Sequence, residues 1–89
     1  MGKSRKIGTV TEVFLEAGAF VARLEAGSEL ATGMSVHVLG SNYYNRDSIQ
    51  SLQVMGAGVD RVSADKDGFE AGLKCSLVPR RNAGLYIDA

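Results

Sequence analysis

The segment that most constrains the fold is Ser28 to Gly40, SELATGMSVHVLG. In Ser35–Leu39, Val36 and Val38 point one way and Ser35 and His37 the other. That is the alternation of a strand with one buried face. Gly33 closes the loop before it and Gly40 stops it, so the strand is too short to be anything but one member of a larger sheet. Leu30 is the apolar plug of the preceding loop. The flanking segments read as partners of this strand.

The same grammar runs along the chain. Ile7–Phe14 is β-branched and aromatic, and Gly8 marks a bulge. Ala19–Glu25 alternates Phe20, Ala22 and Leu24 against Ala19, Val21 and Arg23. Its seven residues between Gly18 and Gly27 favour a strand over a helix. Gly40–Asp47 reads as an exposed polar loop, with a short strand at most at Tyr43 and Tyr44. Ser48–Met55 reads as a strand in which Ile49 is out of phase with Leu52 and Val54, so a bulge or twist belongs near Gln50. Val59–Val62 is a short return segment. Asp65-Lys66-Asp67-Gly68 is a turn. Phe69–Leu77 is a strand with Leu73, Cys75 and Leu77 on one face, ended by Pro79. Leu85–Ile87 is the last strand. No stretch carries an apolar stripe at helical spacing. Eleven glycines suit short strands joined by tight turns.

Six to seven strands with turn signals at short intervals imply an all-β fold, either a closed antiparallel barrel or a small sandwich. Eighty-nine residues suffice for one core. The expected division is a basic flexible arm over residues 1–6 and one domain over 7–89. Ten basic residues balance ten acidic ones, so any attraction to nucleic acid must come from a local patch. A single cysteine and no secretory segment point to the cytoplasm. No apolar run is long enough to span a membrane.

The chemistry is sparse. Asp65–Gly68 does not make a calcium loop, because Ser63 and Lys74 would fall at the first and twelfth positions. His37 and Cys75 are the only nucleophile and base pairing to consider. Cys75 alternates with leucines and His37 faces away from the valines, so no catalysis is expected. No metal or other cofactor is expected. The basic candidates are Lys3, Arg5, Lys6, Arg23, Lys74, Arg80 and Arg81. Tyr43, Tyr44 and Tyr86 offer stacking faces for unpaired bases.

The order IGTVTEVF, FVARLEAGSELATGMSVHVLG, SIQSLQV, DGFEAGLKC and LYI resembles domain II of the translational GTPases, the barrel of elongation factor Tu. Leu30, Gly33, Val36, Val38 and Gly40 carry the middle motif. Ser51, Leu52 and Gln53 carry the next, and Ala64, Gly68, Gly72 and Leu73 the last. The resemblance implies a small closed antiparallel Greek-key barrel of the reductase–elongation factor type, standing without a GTPase domain. A related barrel ends some collagenase-like peptidases. By resemblance, Glu12, Val13, Phe14 and Glu70 fall where that family holds the acceptor end of tRNA. Glu70 departs from it, since a carboxylate cannot donate a hydrogen bond and repels phosphate.

The function expected from sequence is therefore a non-catalytic module binding RNA (tRNA or rRNA, or the ribosome) through a basic patch. The alternative is a protein-interaction barrel that docks to a separately encoded enzyme or self-associates. Neither reading involves DNA or a membrane.

Overall fold

The computed structural model describes residues 4–88. Ten strands follow one another: β1 (Ser4–Phe14), β2 (Ala19–Leu24), β3 (Glu29–Ala31), β4 (Ser35–Leu39), β5 (Tyr44–Ser48), β6 (Ser51–Val54), β7 (Ala57–Val59), β8 (Arg61–Ser63), β9 (Phe69–Lys74) and β10 (Gly84–Asp88). A single 3₁₀ turn, Leu15–Ala17, joins β1 to β2, and there is no α-helix among the described residues. All pairings are antiparallel. Eight strands form one sheet in the order β5-β4-β10-β1-β2-β9-β6-β7, and β3 pairs with β8.

The all-β reading holds, with two corrections. There are ten strands rather than six or seven, because β3, β5, β7 and β8 are three to five residues long and carry little apolar alternation. The ladder also does not close into a barrel: β5 and β7 are its edges. The two sides of the sheet meet instead through the chain. β5 runs into β6 across Ile49 and Gln50, where Ile49 N–H donates to Met34 O at 2.9 Å and Gln50 N–H to Lys74 O at 2.7 Å. The strand expected over Ser48–Met55 is thus broken at this corner. The break lets Ile49 be buried although it is out of phase with Leu52.

The inward side chains form one core of Ile7, Val10, Phe20, Leu24, Leu30, Val36, Leu52, Leu73 and Leu85 with their neighbours. Each large one contributes roughly 1.5–3 kcal/mol when fully buried. β1 is shared by two partners and shifts register between Lys6 and Gly8 and again between Val10 and Glu12. A Cβ on Gly8 would lie 2.8 Å from Arg23 O, so only glycine permits the close crossing of β1 and β2. Ser28 is the one buried polar residue among the described residues, and its hydroxyl donates to Ile7 O at 3.2 Å.

β9 ends at Lys74, short of the expected Leu77. Cys75 is buried, whereas Leu77 is 57% exposed. The cause is Asp47, which points from β5 under the 76–80 loop. One of its carboxylate oxygens accepts Ser48 N–H (2.8 Å) and Ser76 N–H (3.1 Å), and the other accepts Leu77 N–H (2.9 Å). This peels the chain off the ladder and straps the loop over the inner side of β5.

Ser4, Arg5 and Lys6 lie in β1 opposite Asp88, Ile87 and Tyr86. The expected arm is therefore strand from Ser4 onward, and its first three residues, with Lys3, lie outside the described residues.

Candidate nucleic-acid interface

Directly opposed residues of antiparallel strands share a face, with Cβ atoms about 5 Å apart. Across β5, β4, β10 and β1 the register opposes Arg46 to His37, His37 to Tyr86, and Tyr86 to Lys6. These four side chains form one row on the outer face. At strand spacings of about 4.8 Å the row spans roughly 14 Å. Tyr44, 57% exposed, stands on the same face two residues along β5 from Arg46, and Asp88 two residues along β10 from Tyr86.

The centre of the row is fixed by hydrogen bonds. His37 Nε2 lies 2.9 Å from Asp88 Oδ1, and Nδ1 bonds the Tyr44 hydroxyl. With Asp88 ionised, Nε2–H donates to the carboxylate and Tyr44 O–H donates to Nδ1. The His37 and Tyr44 rings are stacked, with centroids 5.7 Å apart. Tyr86 leans back over Gly84, where a Cβ would lie 2.9 Å from its Cε1. The face therefore presents aromatic surface held in place between two exposed cations.

The rim at one end of this face carries Arg80 and Arg81. Arg80 N–H donates to the Tyr43 hydroxyl at 2.9 Å, and its guanidinium sits 6.0 Å from the Tyr43 ring centroid. Arg81 Nε–H donates to Thr11 O at 3.2 Å.

The other sequence-predicted cations lie elsewhere. Arg5 is opposed to Ile87 and reaches toward Gly27. Arg23 sits between Thr9 and Glu70, and Lys74 between Ala19 and Ser51. Lys6, Arg80 and Arg81 thus fall on or beside the aromatic face, and Arg5, Arg23 and Lys74 do not. Sequence reasoning missed Arg46, which it left in a loop, and assigned no binding role to His37.

Of the residues suggested by resemblance, Glu12 and Phe14 share the outer face of β1, Val13 turns toward the core, and Glu70 lies two strands away opposite Arg23. They do not form one pocket. Phe14 lines a separate hollow of about 90 Å³ with Ala19, Val21, Gln53, Gly72 and Lys74. His37 and Cys75 do not meet, since one is on the outer face and the other faces the core. Burial, and secondly the Asp47 carboxylate, push the Cys75 thiol up to about 12, so it is not a thiolate at neutral pH.

The fold and this face define a small antiparallel all-β domain with an aromatic, locally basic sheet surface. Two solved structures are similar to it. One is the selenomethionine variant of the C-terminal domain of a Geobacillus thermoleovorans protein described as a U32 peptidase. It has a TM-score of 0.76 and 13% identity, and covers 91% of this chain and 96% of that one. The other is the C-terminal domain of a protein described in the same words, with a TM-score of 0.73 and 14% identity over 93% of this chain and 90% of that one. No protein-family model matches the chain, and no curated protein does.

These neighbours correct the resemblance to elongation factors and other translation proteins: the similar structures are a peptidase C-terminal domain, and at this identity the likeness concerns the fold alone. The motifs behind the resemblance are mostly glycines, valines and leucines at turns, strand ends and inward positions. They specify how short strands turn and pack, which unrelated proteins of one architecture share.

Proposed function

We propose that this chain is a non-catalytic module that binds single-stranded RNA across the outer face of β5, β4, β10 and β1. The observation that carries the reading is the row Arg46–His37–Tyr86–Lys6 with Tyr44 beside it. Cations at both ends of the row can neutralise backbone phosphates. Tyr86 and Tyr44 offer stacking faces to unpaired bases, which a duplex would keep hidden, with the His37 ring backing Tyr44. The chain's zero net charge does not oppose this, because the face and its rim hold Lys6, Arg46, Arg80 and Arg81 against Asp88 and Glu12. A cytoplasmic location belongs to the same reading and is supported by the one cysteine, free and buried. No helix of the described residues is long and apolar enough to cross a membrane.

The test is fluorescence polarisation with labelled single-stranded RNA at two salt concentrations. Expected is binding that weakens steeply with salt and is displaced poorly by duplex RNA. Absence of binding at low salt overturns the reading.

A second reading is a protein-docking unit. It is favoured by the neighbours, which are the C-terminal domain of a protein described as a peptidase, and by Phe14 and Leu15, 51% and 76% exposed where β1 ends and the 3₁₀ turn begins. A partner that stays bound through nuclease treatment and is released by Phe14→Ser would support it. A partner lost on nuclease treatment would count against it.

A further inference from the structure

We propose that the turn carrying Arg80, Arg81 and Asn82 is a seat for a phosphate monoester, the phosphorylated end of the RNA strand. The inference rests on the RNA reading of the sheet face and adds a distinct site to it.

The turn is held from both sides. Ala83 N–H donates to Arg80 O at 3.2 Å, Asn82 N–H to Val10 O at 2.8 Å, and Val10 N–H to Ala83 O at 2.9 Å. Asn82 takes a φ of 72°, the left-handed conformation that Asn tolerates better than most residues and that the third position of a type II turn requires. The two arginines are thus carried on a backbone fastened to β1. Each is restrained further, Arg80 over the Tyr43 ring and Arg81 by its Nε–H bond to Thr11 O. That bond leaves the terminal nitrogens of Arg81 for a ligand. Between this turn and Ser41 and Tyr43 opens a cleft of about 300 Å³, whose lining includes both arginines and no carboxylate. Its size is at the low end for a small-molecule site, so it suits one nucleotide rather than a helix.

The charge count selects the end of a strand over its middle. A phosphate monoester carries about −1.5 to −2 at neutral pH, whereas an internal phosphodiester carries about −1. Two arginines in one turn, with forked donors, match the dianion. The cleft also lies where a strand on the sheet would arrive. Leu39 is opposed to both Tyr44 and Gly84, and the cleft residues Gly40 and Ala83 each follow one step beyond. RNA stacked on Tyr86 and Tyr44 therefore runs toward the arginines.

The experiment compares short single-stranded RNAs that differ only in a terminal phosphate, at the 5′ end in one arm and the 3′ end in the other, with a dye on the opposite end. Expected is about tenfold tighter binding of one phosphorylated RNA over its hydroxyl counterpart. Arg80→Lys with Arg81→Lys should keep the charge and the salt dependence but lose most of that ratio. Lys6→Ala with Arg46→Ala should weaken both RNAs by one factor and leave the ratio intact. Equal affinity for phosphorylated and hydroxyl ends in both arms overturns the proposal and leaves the RNA face standing. Adenosine monophosphate against adenosine gives an independent reading by amide NMR. Shifts at residues 80–83 with the monophosphate alone support the seat even where no RNA binds, an outcome that would sink only the sheet-face reading. Absence of such shifts at millimolar monophosphate counts against the seat.

Discussion

The two outer faces of the main sheet differ in how they use charge. On the face of β5, β4, β10 and β1, the cations Lys6 and Arg46 flank aromatic rings, and Asp88 is held on His37. On the face of β1, β2, β9 and β6, Arg23 stands opposite Glu70, Glu12 is opposed to Val21, and Lys74 borders a hollow floored by Ala19, Val21 and Gly72. On the second face Arg23 is opposed to a carboxylate, whereas on the first Arg46 and Lys6 are opposed to the His37 and Tyr86 rings and Asp88 is bound to His37. A chain with no net charge can therefore carry a locally cationic surface, and the difference comes from strand register rather than composition.

The largest effect should come from stripping the first face. Lys6→Ala with Arg46→Ala is expected to weaken RNA binding roughly ten- to a hundredfold and to lower the salt slope by about 1.4, for two single-strand phosphate contacts. Arg23→Ala with Lys74→Ala, removing two cations from the second face, should leave affinity and slope unchanged. A polarisation titration of both pairs decides it, and equal losses would erase the distinction between the faces.

Next is the strap behind the basic face. Asp47→Ala removes the acceptor of three backbone N–H groups and should cost about 2 kcal/mol of stability by denaturant titration. Partial burial raises the Asp47 pKa, but the N–H groups of Leu77, Ser48 and Ser76 outweigh it and hold the group below its ordinary 3.8. Because the folded-state value is the lower one, the stabilisation is present above about pH 4 and is lost as pH falls through the folded value. The wild type should therefore lose stability in that acid range more steeply than Asp47→Ala. Parallel acid titrations of the two would refute the assignment.

A smaller change is expected from the rings. Tyr86→Ala should cost about 1 kcal/mol of RNA affinity, the low end for one stacked base, with no change in salt slope. A change in slope without a change in low-salt affinity would mean that Tyr86 acts through its neighbours' charges instead. The smallest effect lies away from both faces. Met55 and Gly56 join β6 to β7 with φ of 52° and 80°, and Met55 is fully exposed. Asn suits the first position of such a turn, so Met55→Asn should raise stability by about 0.5 kcal/mol and leave RNA binding alone. Weaker RNA binding in this variant would show that the hairpin tip belongs to the site.

Much of the core was legible because alternation reports burial directly. β2 and β4 match their expected faces, with Phe20, Ala22, Leu24, Val36 and Val38 all buried. β5 was not legible, for a physical reason. Its inward residues are Asn45 and Asp47, which face the 76–80 loop and, for Asp47, its backbone N–H groups instead of the apolar core, so Tyr44–Ser48 has no hydrophobic period to read. Arg46 was lost with it, and with Arg46 one end of the candidate site. β7 and β8 merged into a single expected segment because each is three residues long.

The sequence by itself determined an all-β chain, the positions of its main turns, the inward residues of its longer strands, and a supply of tyrosines and cations. These are local properties, set by side-chain period and by what glycine and proline permit. Only the tertiary structure decided that the ladder stays open, that Asp47 peels Ser76 and Leu77 from β9, and which cations stand beside which rings. Register between strands distant in sequence, such as Lys6 with Tyr86 and His37 with Tyr86, depends on bulges and shared core contacts. A one-residue slip would send each of these side chains to the opposite face.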